Sequence, residues 1–94
     1  MLLNCRDISV RNYAYSLCIR VLHFDSTLYS RIIPSYLDCI PSEVGDIRRH
    51  ALRSAFEFFP FCNEHSMELM RRLFQGGKEG LPELVKIVNS YLQL

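Results

Sequence analysis

The stretch Asp7-Ile8-Ser9-Val10-Arg11-Asn12-Tyr13-Ala14 returns in altered form as Gly45-Asp46-Ile47-Arg48-Arg49-His50-Ala51. Val10, Arg11 and Ala14 each stand 37 residues before Ile47, Arg48 and Ala51. The echo continues as Ile19, Val21, Leu22 and Phe24 against Phe56, Phe58, Phe59 and Phe61. It fades through Ile32, Ile33, Tyr36 and Leu37 against Leu69, Met70, Leu73 and Phe74. A repeat of this size marks a helix-pair unit that cannot bury its apolar face alone and stacks on copies of itself. The expectation is an all-α chain of about five helices, arranged as two stacked antiparallel helix pairs plus a C-terminal helix. Residues 1–94 then form a single helical-repeat domain, with repeat one at about 7–41, repeat two at about 42–76 and the terminal helix at about 81–94.

Apolar spacing draws the segments. Over about 8–23, Val10, Ala14, Leu17, Cys18, Val21 and Leu22 recur at helical period, with Asp7 as N-cap. Asp25 or Ser26 caps a second helix at about 26–40, whose internal Pro34 predicts a kink or a later start. After Pro41, Ser42 caps a third at about 43–59. This helix has two apolar stripes, Val44-Ile47-Ala51-Ala55-Phe58 and Leu52-Phe56-Phe59, and so is expected to lie between neighbours. Pro60 ends it, Asn63 caps a fourth at about 64–75, and Gly76-Gly77-Lys78-Glu79-Gly80 is a loop. The fifth carries the stripe Leu81, Leu84, Val85, Val88, Tyr91 and Leu92, with Pro82 in its first turn.

Asp7-x-x-Val10-Arg11-x-x-Ala14 resembles the start of a HEAT repeat, and the second copy keeps Ile47-Arg48-x-x-Ala51. The small alanines let paired helices approach closely, and the β-branched Val10 and Ile47 fill the space beside them. The resemblance covers about residues 7–75 and implies a HEAT-like, armadillo-like α-solenoid fragment. It also implies an Asp–Arg ladder between repeats, carried here to Asp7, Arg11 and Arg48, and to Asp46, which is displaced by two positions. The rival reading is a small five-helix bundle in which these residues are core and solvated face. Ala51 to Gly76, with a proline ending one helix, then Cys62-x-Glu64-His65, then a helix ending in Phe74 before glycine, is similar to the C-terminal tail of the largest subunit of the Integrator complex. That similarity implies a nuclear α-solenoid in RNA-processing machinery and a natural C-terminus at Leu94. Nuclear or cytoplasmic localisation is expected, the nucleus favoured by the similarity.

Composition narrows the classes. At 94 residues and 49% hydrophobic content the chain is one modest folded domain rather than a disordered segment. A formal net charge of +1 supplies no global field toward nucleic acid or an acidic membrane. No apolar run reaches the roughly 18–20 residues of a membrane span, and Met1 to Asp7 lacks the features of a signal peptide. The cysteines at 5, 18, 39 and 62 form no close pair, so reduced thiols are expected.

Catalysis is not expected. Cys62, Glu64 and His65 are close in sequence, but nothing supplies the oriented base and oxyanion hole that a Cys–His nucleophile needs. The scattered cysteines lack zinc-ligand spacing, although Cys39, Cys62 and His65 could meet across helices. The glycines at 76, 77 and 80 follow a helix and read as its stop rather than a phosphate loop. No cofactor or metal is implied.

Two surfaces remain as candidates. Phe56, Phe58, Phe59 and Phe61 cannot all face one interior, so Phe56, Phe59 and Phe61, with Ile87 and Leu94 off the last helix's stripe, are the candidate protein contacts. Arg48, Arg49 and Arg53, with Arg71 and Arg72, could instead form a nucleic-acid face, but Asp46, Glu57 and Glu68 interrupt it. The leading expectation is a non-enzymatic protein–protein interaction scaffold, its unfinished edge covered by other protein subunits or by self-association. The alternative is a nucleic-acid-binding helical module using Arg48, Arg49 and Arg53. A small adaptor with a groove for a partner helix is a third possibility.

Overall fold

The computed structural model describes residues 2–92, and these are helical and turn structure without strands. A 3-10 turn at Leu2–Asn4 seats Leu3 in the core. Helix α1, Ile8–Phe24, starts where Asp7 accepts hydrogen bonds from the Ser9 and Val10 amides at 2.9 and 3.1 Å. Asp25 ends it and caps the next turn, Ser26–Leu28, by accepting from the Thr27 amide at 3.1 Å.

Helix α2, Tyr29–Leu37, begins later than the drawn residue 26 and stops before 40. It runs through Pro34 without a break. Pro34 and Ser30, whose carbonyl loses its helical donor to the proline, both lie on the exposed side, where water can serve that carbonyl.

The expected third helix is two helices. Helix α3 spans Gly45–Arg53 and helix α4 spans Ala55–Phe58, with Ser54 between them and a 3-10 turn at Phe59–Phe61 after them. The Ser54 hydroxyl donates to the His50 carbonyl at 2.9 Å, and its amide is shared between His50 and Ala51 carbonyls at 3.1 and 3.3 Å. Such back-bonding tightens and bends a helix. Ser42 is not the cap of α3: Val44 holds that position without a side-chain cap bond, and the Ser42 hydroxyl only accepts from the Val44 amide at 3.1 Å in the turn before it.

Helix α5, Ser66–Gln75, follows a 3-10 turn at Asn63–His65. Asn63 is not its side-chain cap; it takes φ 49°, and its backbone carbonyl accepts from the Ser66 hydroxyl at 2.7 Å. The turn into α6, Leu81–Leu92, depends on Gly80. A Cβ there would lie 2.0 Å from the Leu73 carbonyl oxygen, so only glycine permits the chain to pass that close to α5. Helix α6 packs on α4 and α5.

The core is aromatic at its centre. Tyr36 stacks on Phe58 with ring centroids 4.1 Å apart, and Tyr15 meets both rings edge-on. The buried Tyr36 hydroxyl donates to the Ala51 carbonyl at 2.7 Å, tying α2 to α3. Burial raises both tyrosines' pKa values well above the usual phenol value.

Candidate functional site

The apolar stripe expected to seat α6 mostly faces outward. Leu81, Val85, Val88 and Leu92, spaced to lie on one face of the helix, are between 40% and 77% exposed. Tyr91 is exposed as well, while Leu84 is partly buried against the core. The inward face instead carries Glu83 and Ile87, one helical turn apart. Ile87 is fully buried, which corrects its place among the contact candidates. Its position off the main stripe is what turns it toward α4 and α5. Glu83, also buried, pairs with Lys86 Nζ at 2.9 Å at the edge of that seam.

Phe56, Phe59 and Pro60 meet Ser90 and Tyr91 around a cavity of about 270 Å³ beside the α6 stripe. Phe59 and Tyr91 form its edge-to-face pair, with centroids 5.7 Å apart. Phe56 is 43% exposed and Phe59 is half-buried. Phe61 lies elsewhere, edge-on to His23 at 4.9 Å. Leu94 lies outside the described residues. A second exposed apolar row runs along α1 through Val10, Tyr13 and Leu17 to Phe24, which is 93% exposed.

The Asp–Arg ladder does not form among the described residues. The Asp7 carboxylate caps its own helix. Arg11 is buried and crosses between the two copies of the signature, donating from Nε to His50 Nδ1 at 2.9 Å and from Nη1 to the Cys5 carbonyl at 2.8 Å. The His50 ring in turn stacks on Tyr15, with centroids 4.0 Å apart. Burial first, and the Arg11 charge second, hold the His50 pKa below its usual value, in keeping with an unprotonated Nδ1 acceptor. Asp46 pairs within its own helix, with Arg49 at 2.5 Å, and Arg48 donates to the Ser42 carbonyl at 2.8 Å. An arginine-to-histidine bond therefore occupies the place where a carboxylate was expected. The histidine at position 50 is the sequence signal that charge matching overlooks.

The arginine cluster divides in the same way. Arg48, Arg71 and Arg72 line one cleft, whereas Arg49 is paired with Asp46 and Arg53 is exposed outside that cleft. Cys62 is fully buried, and its thiol donates to the Phe58 carbonyl. Burial pushes its pKa up to about 12, so it is a protonated core thiol at neutral pH. All four cysteines are free. Among the described residues no group of three His, Cys, Asp or Glu side chains is placed to hold a metal ion, and no helix is long and apolar enough to cross a membrane.

These features define an all-helical module with apolar helix faces left uncovered and no assembled chemical centre among the described residues. Comparison with known proteins gives it a family. The family model described as Integrator complex subunit 1, R4 domain, matches residues 1–63, and the chain belongs to that family. Integrator complex subunit 1 of Mus musculus is 29% identical over 79 residues, covering 84% of this chain and 4% of that protein. The Homo sapiens protein of the same name is 28% identical over the same share of each. The chain thus spans about 4% of the length of the curated relatives it matches. No solved structure matches it.

Proposed function

We propose that the chain is a non-enzymatic protein–protein interaction scaffold, a helical-repeat part of an Integrator-like RNA-processing complex in the nucleus. The observation that carries this reading is the outward apolar face of α6, continuous with the Phe56–Tyr91 cavity. A monomer gains nothing from a regular row of exposed leucines and valines, whereas a neighbouring protein surface would remove that area from water. Membership of a complex-subunit family supports the same conclusion. In this reading the two signature copies are HEAT-like repeats, residues 1–94 act as one unit, and α6 is where other subunits, or a second copy, continue the stack. Phe56 and Phe59 contribute from α4 and the turn after it.

Affinity purification from nuclear extract, with and without the paired substitution Val85→Glu and Val88→Glu, tests it. The wild-type chain should recover Integrator subunits. The variant, keeping its helical circular dichroism, should lose them. Equal recovery by both would overturn the role of α6, and recovery of no such subunit by the wild type would overturn the assignment to that complex.

A further inference from the structure

A second surface is built quite differently. Between the turn after α2, helix α3 and the end of α5 lies an open cleft of about 350 Å³. Exposed Pro41 forms its apolar edge, with the core residues Ile40 and Leu52 buried behind it, and Arg48, Arg71 and Arg72 stand around it. Two of these are fixed by backbone carbonyls: Arg48 Nη1 donates to Ser42 O at 2.8 Å and Arg72 Nη1 to Leu37 O at 2.5 Å. A carbonyl orients a guanidinium without cancelling its charge. Glu68 is the carboxylate that pairs with the group, accepting from Arg71 through both Nε, at 3.1 Å, and Nη2, and from Arg72 Nε at 2.7 Å. Three cations against that carboxylate leave a positive excess in a chain whose formal net charge is only +1. Each guanidinium has five N–H donors, and the bonds named here use only part of each set.

We propose that this cleft docks an acidic segment of a partner protein. Asp or Glu side chains engage Arg48, Arg71 and Arg72, while an apolar side chain lies against Pro41. Charge complementarity supplies the acidic half of the match, since oriented arginine forks favour planar carboxylates. The exposed Pro41 ring supplies a smaller apolar half. The volume, at the low end of the roughly 300–1,000 Å³ range of ligand pockets, suits a few side chains. Nucleic acid fits less well, because it needs a continuous positive track. Here Arg49 is closed by Asp46, and neither Arg49 nor Arg53 reaches the cleft. The surface is separate from the α6 face, so either can fail without the other.

The test is fluorescence anisotropy of the whole chain with three labelled probes: a short peptide of alternating Glu and Leu, the same peptide with Lys for Glu, and a single-stranded RNA of matching length. Binding of the acidic peptide alone is expected, weakened about tenfold or more by Arg48→Gln with Arg71→Gln, since each removes a charge-assisted hydrogen-bond donor. Arg49→Gln and Val85→Glu should leave it unchanged, and circular dichroism melting should show each variant folded. No binding of the acidic peptide, binding insensitive to the Arg48 and Arg71 changes, or tighter binding of the RNA lost with the same arginines would each overturn the proposal.

Discussion

Helix α1 carries Val10, Arg11 and Ala14 where helix α3 carries Ile47, Arg48 and Ala51, and both alanines are buried, while the residues beside them part company. Val10 is 39% exposed and Ile47 only 4%. Arg11 is 3% exposed and spends its donors inside the fold, on the Cys5 and Arg6 carbonyls and on His50. Arg48 is half-buried, holds one carbonyl and borders an open cleft. The same short pattern thus serves a helix whose β-branched residue faces out and whose arginine is buried, and a helix in which those two positions are reversed. The alanines are determined by close approach, which both helices share. The arginines are determined by what covers them, which differs.

The sharpest way to break this contrast is truncation of the paired β-branched residues. Ile47→Ala should destabilise the fold by about 2–5 kcal/mol, the range for emptying a buried aliphatic site. Val10→Ala should cost no more than about 0.5 kcal/mol, as an exposed change does. Urea unfolding of the two variants decides it. Comparable losses would mean that α1 is covered on both faces in solution.

The arginines give the next largest difference. Arg11→Met leaves buried carbonyl and imidazole acceptors without a donor, and each such group costs about 1–3 kcal/mol. Arg48→Met removes one bond at a cleft edge and should cost about 1 kcal/mol or less. If the two variants melt together, Arg11 is not the tie between the copies.

The Arg11–His50 bond also gives α1 a pH signature in a different window from that of the carboxylate beside the Arg48 cleft. Tyr15 and Arg11 from α1 face His50, and Glu57 lines a separate pocket that His50 and Tyr15 share between α1 and α3. Because the folded pKa of His50 is depressed, the unfolded chain binds its proton more readily. The contribution is therefore fully present above the unfolded value near 6.5 and is lost as pH falls through the lower folded value. Glu68, held down to about 2 by hydrogen bonds from Arg71 and Arg72, acts in a separate window, below its unfolded value near 4.5. His50→Asn keeps an acceptor without a titrating ring and should flatten the loss of stability just below pH 6.5, leaving the more acidic decline intact. An unchanged profile in the His50 window would remove the histidine from the linkage.

Much of the fold was legible because its signals are local. Asp7 and Asp25 cap where side-chain chemistry says they must, the 76–80 glycines end α5, and apolar period separates helix from loop. The candidate surfaces were less legible because sequence counts apolar residues without saying which face meets a neighbour. The stripe through Leu81, Val85, Val88 and Leu92 looks like a core face, yet Ile87 and the charged Glu83 take the inward positions. Sequence sets Arg71 and Arg72 beside Arg48, Arg49 and Arg53, but which of these share a cleft depends on how α3 and α5 pack, and Arg49 and Arg53 fall outside it. His50 as the partner of Arg11 was hidden because the expected ladder called for a carboxylate.

The last difference between the two helices is length, 17 residues in α1 against nine in α3, and it turns on Ser54. Its hydroxyl bond to the His50 carbonyl is one account of the break. The other is that Ala55 and Phe58, both fully buried, fix α4 in its own direction, so the break would persist without the hydroxyl. Ser54→Ala removes a hydrogen bond worth about 0.5–1.5 kcal/mol, and alanine's higher helix propensity returns about half a kcal/mol. The net change should lie within about 1 kcal/mol of zero. Burial favours the second account, because shifting Phe58 would break its stack on Tyr36 at the centre of the core. The Cα chemical shifts of residues 53–56 should therefore stay close to those of the wild type. A shift toward continuous helix across residue 54 would show that one hydroxyl makes α3 differ from α1.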